Sequence, residues 1–266
     1  MPRAIALIAL IASLTLAACR SEIAPVETLE LREEGVATLD LRAPGGGDIR
    51  VRAGDVDAVE ITADVYEAAT FRRTRDGDRL VITHDCPAEF LNRTLMWSRF
   101  DPDPECPDRE RCLPYCYVSL DVVVPRRLGA LRVETATGLV EVRVEDVTEL
   151  EVITATGLAI VSAGEVDALR IAAGASPTFD VTVGSARLAE LARGPSEGRA
   201  TFAERPELLS IEKSGAGVLT VEVPRGAYDL EVPPAAQLTT QNVTRDPDSL
   251  FAIRLLDDGP VALIGR

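Results

Sequence analysis

Lysine and histidine are almost missing from this chain: Lys213 and His84 are the sole examples of each in 266 residues. A single histidine leaves serine–histidine–aspartate catalysis, and metal sites built on several histidines, almost no material. Because Lys213 stands alone, nearly every positive charge is arginine, which we take as codon bias. Positive charge is also short in sum, 28 residues against 43 acids for a net charge of −15. An acidic body of this size argues against nucleic acid or an anionic lipid surface as a partner. Aromatic residues make up only 4%, as a narrow core of Val, Leu, Ile and Ala requires. Helical periodicity is absent over any useful length; Glu30 to Glu34 and Ala186 to Arg193 come nearest,.

The one long apolar run lies at the start. Arg3 precedes Ala4 to Leu16, and Leu16-Ala17-Ala18-Cys19 closes the run with small residues before a cysteine. The run is too short to span a bilayer and has no charged stop-transfer flank, so it reads as an export signal over residues 1–19. The closing tetrapeptide resembles the lipobox of bacterial lipoproteins, which implies that Cys19 is acylated and becomes the mature N-terminus. Acyl chains bury about 0.8 kcal/mol per CH₂ and would hold the protein on a membrane. Arg20 and Ser21 follow, with no Asp; under the enterobacterial sorting rule that favours the outer over the inner membrane. Removing the signal takes away only Arg3 among the charged residues and leaves a net charge of −16.

The body is organised around a repeat. Leu131-Arg-Val-Glu-Thr-Ala-Thr-Gly-Leu139 returns nineteen residues later as Leu150-Glu-Val-Ile-Thr-Ala-Thr-Gly-Leu158. A single unit of that length cannot bury its own apolar face, so the period points to units stacked on one another, here coils of a β-solenoid of about 19–21 residues. Leu39 to Val59 shows a similar spacing. Weaker copies are expected from Leu169, Leu188, Leu209 and Leu230, with final capping strands between Phe251 and Ile264. Apolar and polar residues alternate with period two, and Gly, Pro and Asp clusters separate the runs. Val124-Pro125, Val223-Pro224 and Val232-Pro233 end three runs where a ladder donor is no longer needed,. Residues 20–35 are charged and aperiodic and read as a tether; residues 36–266 form one domain.

The rhythm breaks at an insertion over residues 85–116, which holds Cys86, Cys106, Cys112 and Cys116. Four clustered cysteines in an exported chain read as two disulfides, in any of three connectivities. Cys86 closes one apolar run and Cys116 opens the next, which favours Cys86–Cys116 across the base and Cys106–Cys112 within the loop. Zinc is disfavoured, because the spacings lack paired CxxC knuckles despite His84 nearby. Asp101, Asp103 and Glu105 offer oxygen ligands to calcium, but prolines stiffen the segment and no glycine makes the sharp turn, so a solvated acidic loop is the plainer reading,. Trp97, Met96 and Phe100 are candidate binding residues, or else the loop's own small core. Asn92 and Asn242 begin glycosylation sequons, of little weight in a bacterial lipoprotein.

A strand pair with a glycine turn, an interruption, then Val122-Val-Val-Pro125 and the Leu-Arg-Val-Glu-Thr-Ala-Thr-Gly-Leu-Val-Glu-Val repeat resembles the bacterial "putative adhesin" domains of unknown function. The resemblance covers about Val36 to Pro260, and the cysteine loop departs from the family pattern. It implies a right-handed single-stranded parallel β-helix and a lipoprotein or membrane anchor. The function expected is therefore non-enzymatic: an envelope scaffold or binding module, held by its anchor, facing the periplasm or the cell surface. Its partner would be an envelope protein or a glycan, with no cofactor, no metal and no catalytic residues. Two rivals make distinct demands. A carbohydrate-active β-helix enzyme needs a groove of converging carboxylates and arginine; a regulator of envelope stress needs a specific membrane partner.

Overall fold

The computed structural model describes residue 25 and residues 27–66, 70–85, 117–176 and 178–266. Every regular element among these is a β-strand. The first half holds β1 (Glu27–Glu34), β2 (Thr38–Ala43), β3 (Asp48–Gly54), β4 (Ala58–Tyr66), β5 (Thr70–Asp76), β6 (Arg79–Asp85), β7 (Tyr117–Pro125) and β8 (Arg127–Thr135). Three long strands follow, β9 (Leu139–Thr154), β10 (Leu158–Ala173) and β11 (Phe179–Arg193). Shorter ones complete the chain: β12 (Gly198–Phe202), β13 (Leu208–Lys213), β14 (Leu219–Val223), β15 (Gly226–Glu231), β16 (Leu238–Gln241), β17 (Val243–Arg245), β18 (Ala252–Leu255) and β19 (Val261–Gly265).

The repeat is expressed as parallel pairing in register. Leu131 lies beside Leu150, Leu150 beside Leu169, Leu169 beside Ala189 and Ala189 beside Leu209. Within β9 the buried residues are Val140, Val142 and Val144, then Val147, then Leu150, Val152 and Thr154. The step between them widens from two to three on either side of Val147, and pairing with β10 skips Glu145 and Thr148. One strand thereby serves two ladders. Its first part pairs with β3 and β10, and its second with β8 and β10.

The ladder built on the second parts runs β5–β6–β2–β8–β9–β10–β11–β13–β18–β15. The ladder on the first parts runs β1–β4–β7–β3–β9–β10–β11–β12–β14–β19–β16. All pairings are parallel except β1–β4, β4–β7 and β5–β6. Inside, like residues stack on like. Ile82, Leu41, Val133, Val152, Ile171, Leu191, Ile211 and Leu255 form one column, each 4% exposed or less. Burying such side chains contributes about 1.5–3 kcal/mol each.

The turns between repeats stack as closely as the strands. Gly138 takes φ +110°, and a Cβ there would sit 2.2 Å from the carbonyl oxygen of Gly47. At Gly157 the same atom would come within 2.1 Å of the Gly138 carbonyl oxygen. The Thr-Ala-Thr-Gly signature is therefore the corner where backbone rests directly on backbone.

Four expectations need correction. Residues 27–34, read as part of the tether, form β1, antiparallel to β4. Val59 does not begin a second copy of the Leu39 unit: β4 runs antiparallel to β7 at the N-terminal end. The fourth copy begins on Ala189, not Leu188, because the turn before β11 (Gly174 to Thr178) is longer than the three-residue turn before β10 (Ala155 to Gly157). Finally, the chain's last strands are not its cap. β18 inserts between β13 and β15, and β19 between β14 and β16, so the outermost layer is the preceding segment 226–241.

Candidate functional site

The repeats align outward residues as strictly as inward ones. On the face carried by β8, β9, β10, β11 and β13, the central column reads Asp40, Arg132, Glu151, Arg170, Glu190 and Ser210, one per strand, and continues through Arg254 and Glu231. Its signs alternate along the stack. Arg132 meets Glu151 at 3.0 Å, Arg170 meets Glu151 at 2.9 Å and Glu190 at 3.4 Å, and Arg254 meets Glu231 at 3.0 Å. Glu151 and Glu190 each have an arginine on an adjoining strand, the favourable cross-strand arrangement for charge,.

Asp40 anchors one end of this column and is nearly buried. It accepts hydrogen bonds from Arg42 Nε at 2.9 Å and from Arg79 Nη2 at 3.0 Å. Burial alone pushes its carboxyl up, but the hydrogen bonds from Arg42 and Arg79 outweigh that and hold it below the usual carboxylate range,. In return, the Asp40 carboxylate raises the Arg42 guanidinium.

An apolar strip flanks the charged column on each side. Ile153, Ala172 and Ala192 lie half-buried on adjoining strands toward the turns. Ala168, Leu188 and Leu208 do the same toward the bend. Shallow open grooves run along both strips. This face is a panel with an alternating charged rib between two shallow, mainly apolar troughs, with Glu149 at one and Glu134 and Glu212 at the other.

A second feature lies inside the stack, at the turn corner. The inward column Ala43, Thr135, Thr154, Ala173 continues onto Arg193 and Lys213. Both cations are buried, at 2% and 1% exposure. Neither is met by a carboxylate within ion-pair distance among the described residues. Arg193 donates to the carbonyls of Gly174 at 2.9 Å, Ser176 at 2.5 Å and Glu197 at 2.7 Å, and lies over the Phe179 ring at 5.4 Å. Lys213 Nζ donates to the carbonyls of Gly194 at 2.9 Å and Ser214 at 2.5 Å. Burial lowers both pKa values, and for Lys213 the Arg193 charge lowers it further while Asp257 opposes. Thr135, in the same column, donates to the Thr137 carbonyl at 2.7 Å. In this column Thr135 thus serves a carbonyl of a short turn, and Arg193 and Lys213 serve carbonyls of longer ones.

The sequence-derived sites fall mostly elsewhere. Cys19, the four cysteines assigned to disulfides, Trp97, Met96, Phe100, Asp101, Asp103 and Glu105 all lie outside the described residues. His84 is buried on β6. Among the described residues, no three His, Cys, Asp or Glu side chains gather as metal ligands. The alternating column is not among the sites expected from the sequence. Aligning the repeats by strand would have exposed it, as it would have placed Lys213 on the inward corner column.

No family model matches the chain, and no curated protein does. Among solved structures, a "putative adhesin" from Bacteroides fragilis is 9% identical, with TM-score 0.37 over 90% of this chain and 96% of that one. A "putative cell adhesion protein" from Clostridium sporogenes is also 9% identical, with TM-score 0.32 over 90% and 97%. A "Putative lipid binding protein" from Parabacteroides distasonis is 10% identical, with TM-score 0.32 over 91% and 97%. At such scores neither fold nor function follows from them.

Proposed function

We propose that this chain is a non-enzymatic cell-envelope protein of adhesin type that presents its flat panel to a partner. The observation that carries this reading is the outward face of β8 to β13, where alternating charge and two apolar strips are held in register over successive strands. The repeats are coils of a right-handed, single-stranded parallel β-helix; parallel pairing at steps of nineteen and twenty residues supports this. The panel is then a rigid wall, set by backbone ladders rather than by loops. Cys19 carries lipid and holds the protein on the outer membrane, as the Leu16-Ala17-Ala18-Cys19 sequence supports. Two disulfides, Cys86–Cys116 and Cys106–Cys112, staple the inserted loop between β6 and β7.

The test is made in intact envelopes. The single lysine is buried, so a photoreactive residue at Ile153 serves better than amine-reactive chemistry. Wild type should give a discrete crosslinked product that disappears on Arg170→Glu with the protein still folded. Unchanged crosslinking in that variant would remove the panel from the reading. Separately, Cys19→Ser should move the protein from the membrane to the soluble fraction; continued membrane partitioning would refute the anchor.

A further inference from the structure

We propose that the partner of the panel is a second copy of this chain, docked face to face with its stack running the opposite way. The proposal rests on the reading of the panel as a binding surface and names what it binds. The argument is charge complementarity. Arg132, Glu151, Arg170 and Glu190 occupy four successive strands, spaced about 4.8 Å apart, with alternating sign. Their side chains keep 22–54% exposure and so remain available to a surface laid upon them.

Consider a two-fold axis in the plane of the panel, parallel to the strands and passing between β9 and β10. It places Glu151 against Arg170 of the second copy and Arg132 against Glu190 of the second copy, each contact occurring twice. The same rotation sets Ile153 against Ala172 and Leu188 against Ala130. Sliding the copies by one strand sets Arg132 against Arg170 and Glu151 against its own equivalent, so like charge rejects that register. The closed, isologous geometry yields dimers rather than fibres. The four rib charges cancel; of the other glutamates on this face, beside the rib, the same rotation sets Glu212 against Arg42 of the second copy and Glu134 and Glu149 against Ala192 and Ala168. Because the stacks run oppositely, the β1 and β5 ends point apart. That arrangement fits copies anchored on two facing membranes.

Sedimentation velocity on the purified mature chain in a non-ionic detergent tests this without any other component. Wild type should show a concentration-dependent monomer–dimer equilibrium that weakens with added salt. The inverted chain (Arg132→Glu, Glu151→Arg, Arg170→Glu, Glu190→Arg) should dimerise with itself. In an equimolar mixture with fluorescently labelled wild type, mixed dimers should fall at least tenfold below the statistical share. Should the inverted chain fail to fold, Ile153→Glu replaces it, and its dimerisation constant should weaken at least tenfold. A wild-type chain that stays monomeric at all concentrations, statistical mixed dimers, or full dimerisation of Ile153→Glu would each overturn the proposal. If wild type is monomeric while its envelope crosslinks still depend on Arg170, self-pairing fails and the binding reading stands.

Discussion

At the residue scale, the informative side chains are two buried cations with no carboxylate partner among the described residues. A buried charge is normally paired; Arg193 and Lys213 instead serve turn carbonyls that would otherwise lack donors. Their cost and their use are the same fact. Burial lowers the Lys213 pKa, whereas an unfolded lysine titrates near ~10.4. Below the lowered value both states are protonated and the fold bears the full cost of the buried charge. Between that value and ~10.4 the unfolded state binds more protons, so stability rises with pH. Lys213→Met should remove this rise and, at neutral pH, cost about 1–3 kcal/mol because the turn carbonyls lose their donor. Denaturant titrations of wild type and variant across alkaline pH check both points; parallel pH curves would contradict the account.

At the element scale, one residue of register separates core from surface. The repeat period places Leu188 in the inward column, yet the strand presents Ala189 there and leaves Leu188 half-buried outside. A longer turn before β11 shifts the phase by one, and a shift of one residue exchanges the faces of a strand. Leu188→Asp should therefore cost roughly 1 kcal/mol or less, as a surface change. Ala189→Asp should cost about 3–5 kcal/mol, since it buries an unpaired carboxylate. Urea unfolding of the pair decides the register, and equal losses would restore Leu188 to the interior.

At the scale of the whole molecule, chain order and stacking order part company at both ends. The unit β2–β3 lies between the β6/β7 layer and the β8/β9 layer, although β6 and β7 come later in the chain. Near the other end, residues 252–265 occupy an interior layer beneath residues 226–241. Deleting residues 252–266 should therefore act like removing a middle layer. Ile253, Leu255, Val261 and Leu263 are all buried, and at about 1.5–3 kcal/mol each their loss matches the ~5–15 kcal/mol that stabilises a typical domain. Circular dichroism should find no cooperative melt in the truncated chain; a transition near that of the full chain would show these strands to be dispensable.

The strands themselves were legible in the sequence, because period-two alternation is a local property and each half-buried strand displays it. So was the stacking of Leu131 on Leu150, where two near-identical copies share one turn length. What only the tertiary structure decided was the order of layers at the two ends and the phase of β11. Each of these depends on which strands become neighbours, and neighbours are chosen by ladder pairing and turn length summed over distant segments. Apolar alternation says that a residue is buried or exposed. It is the stacking that says beside whom.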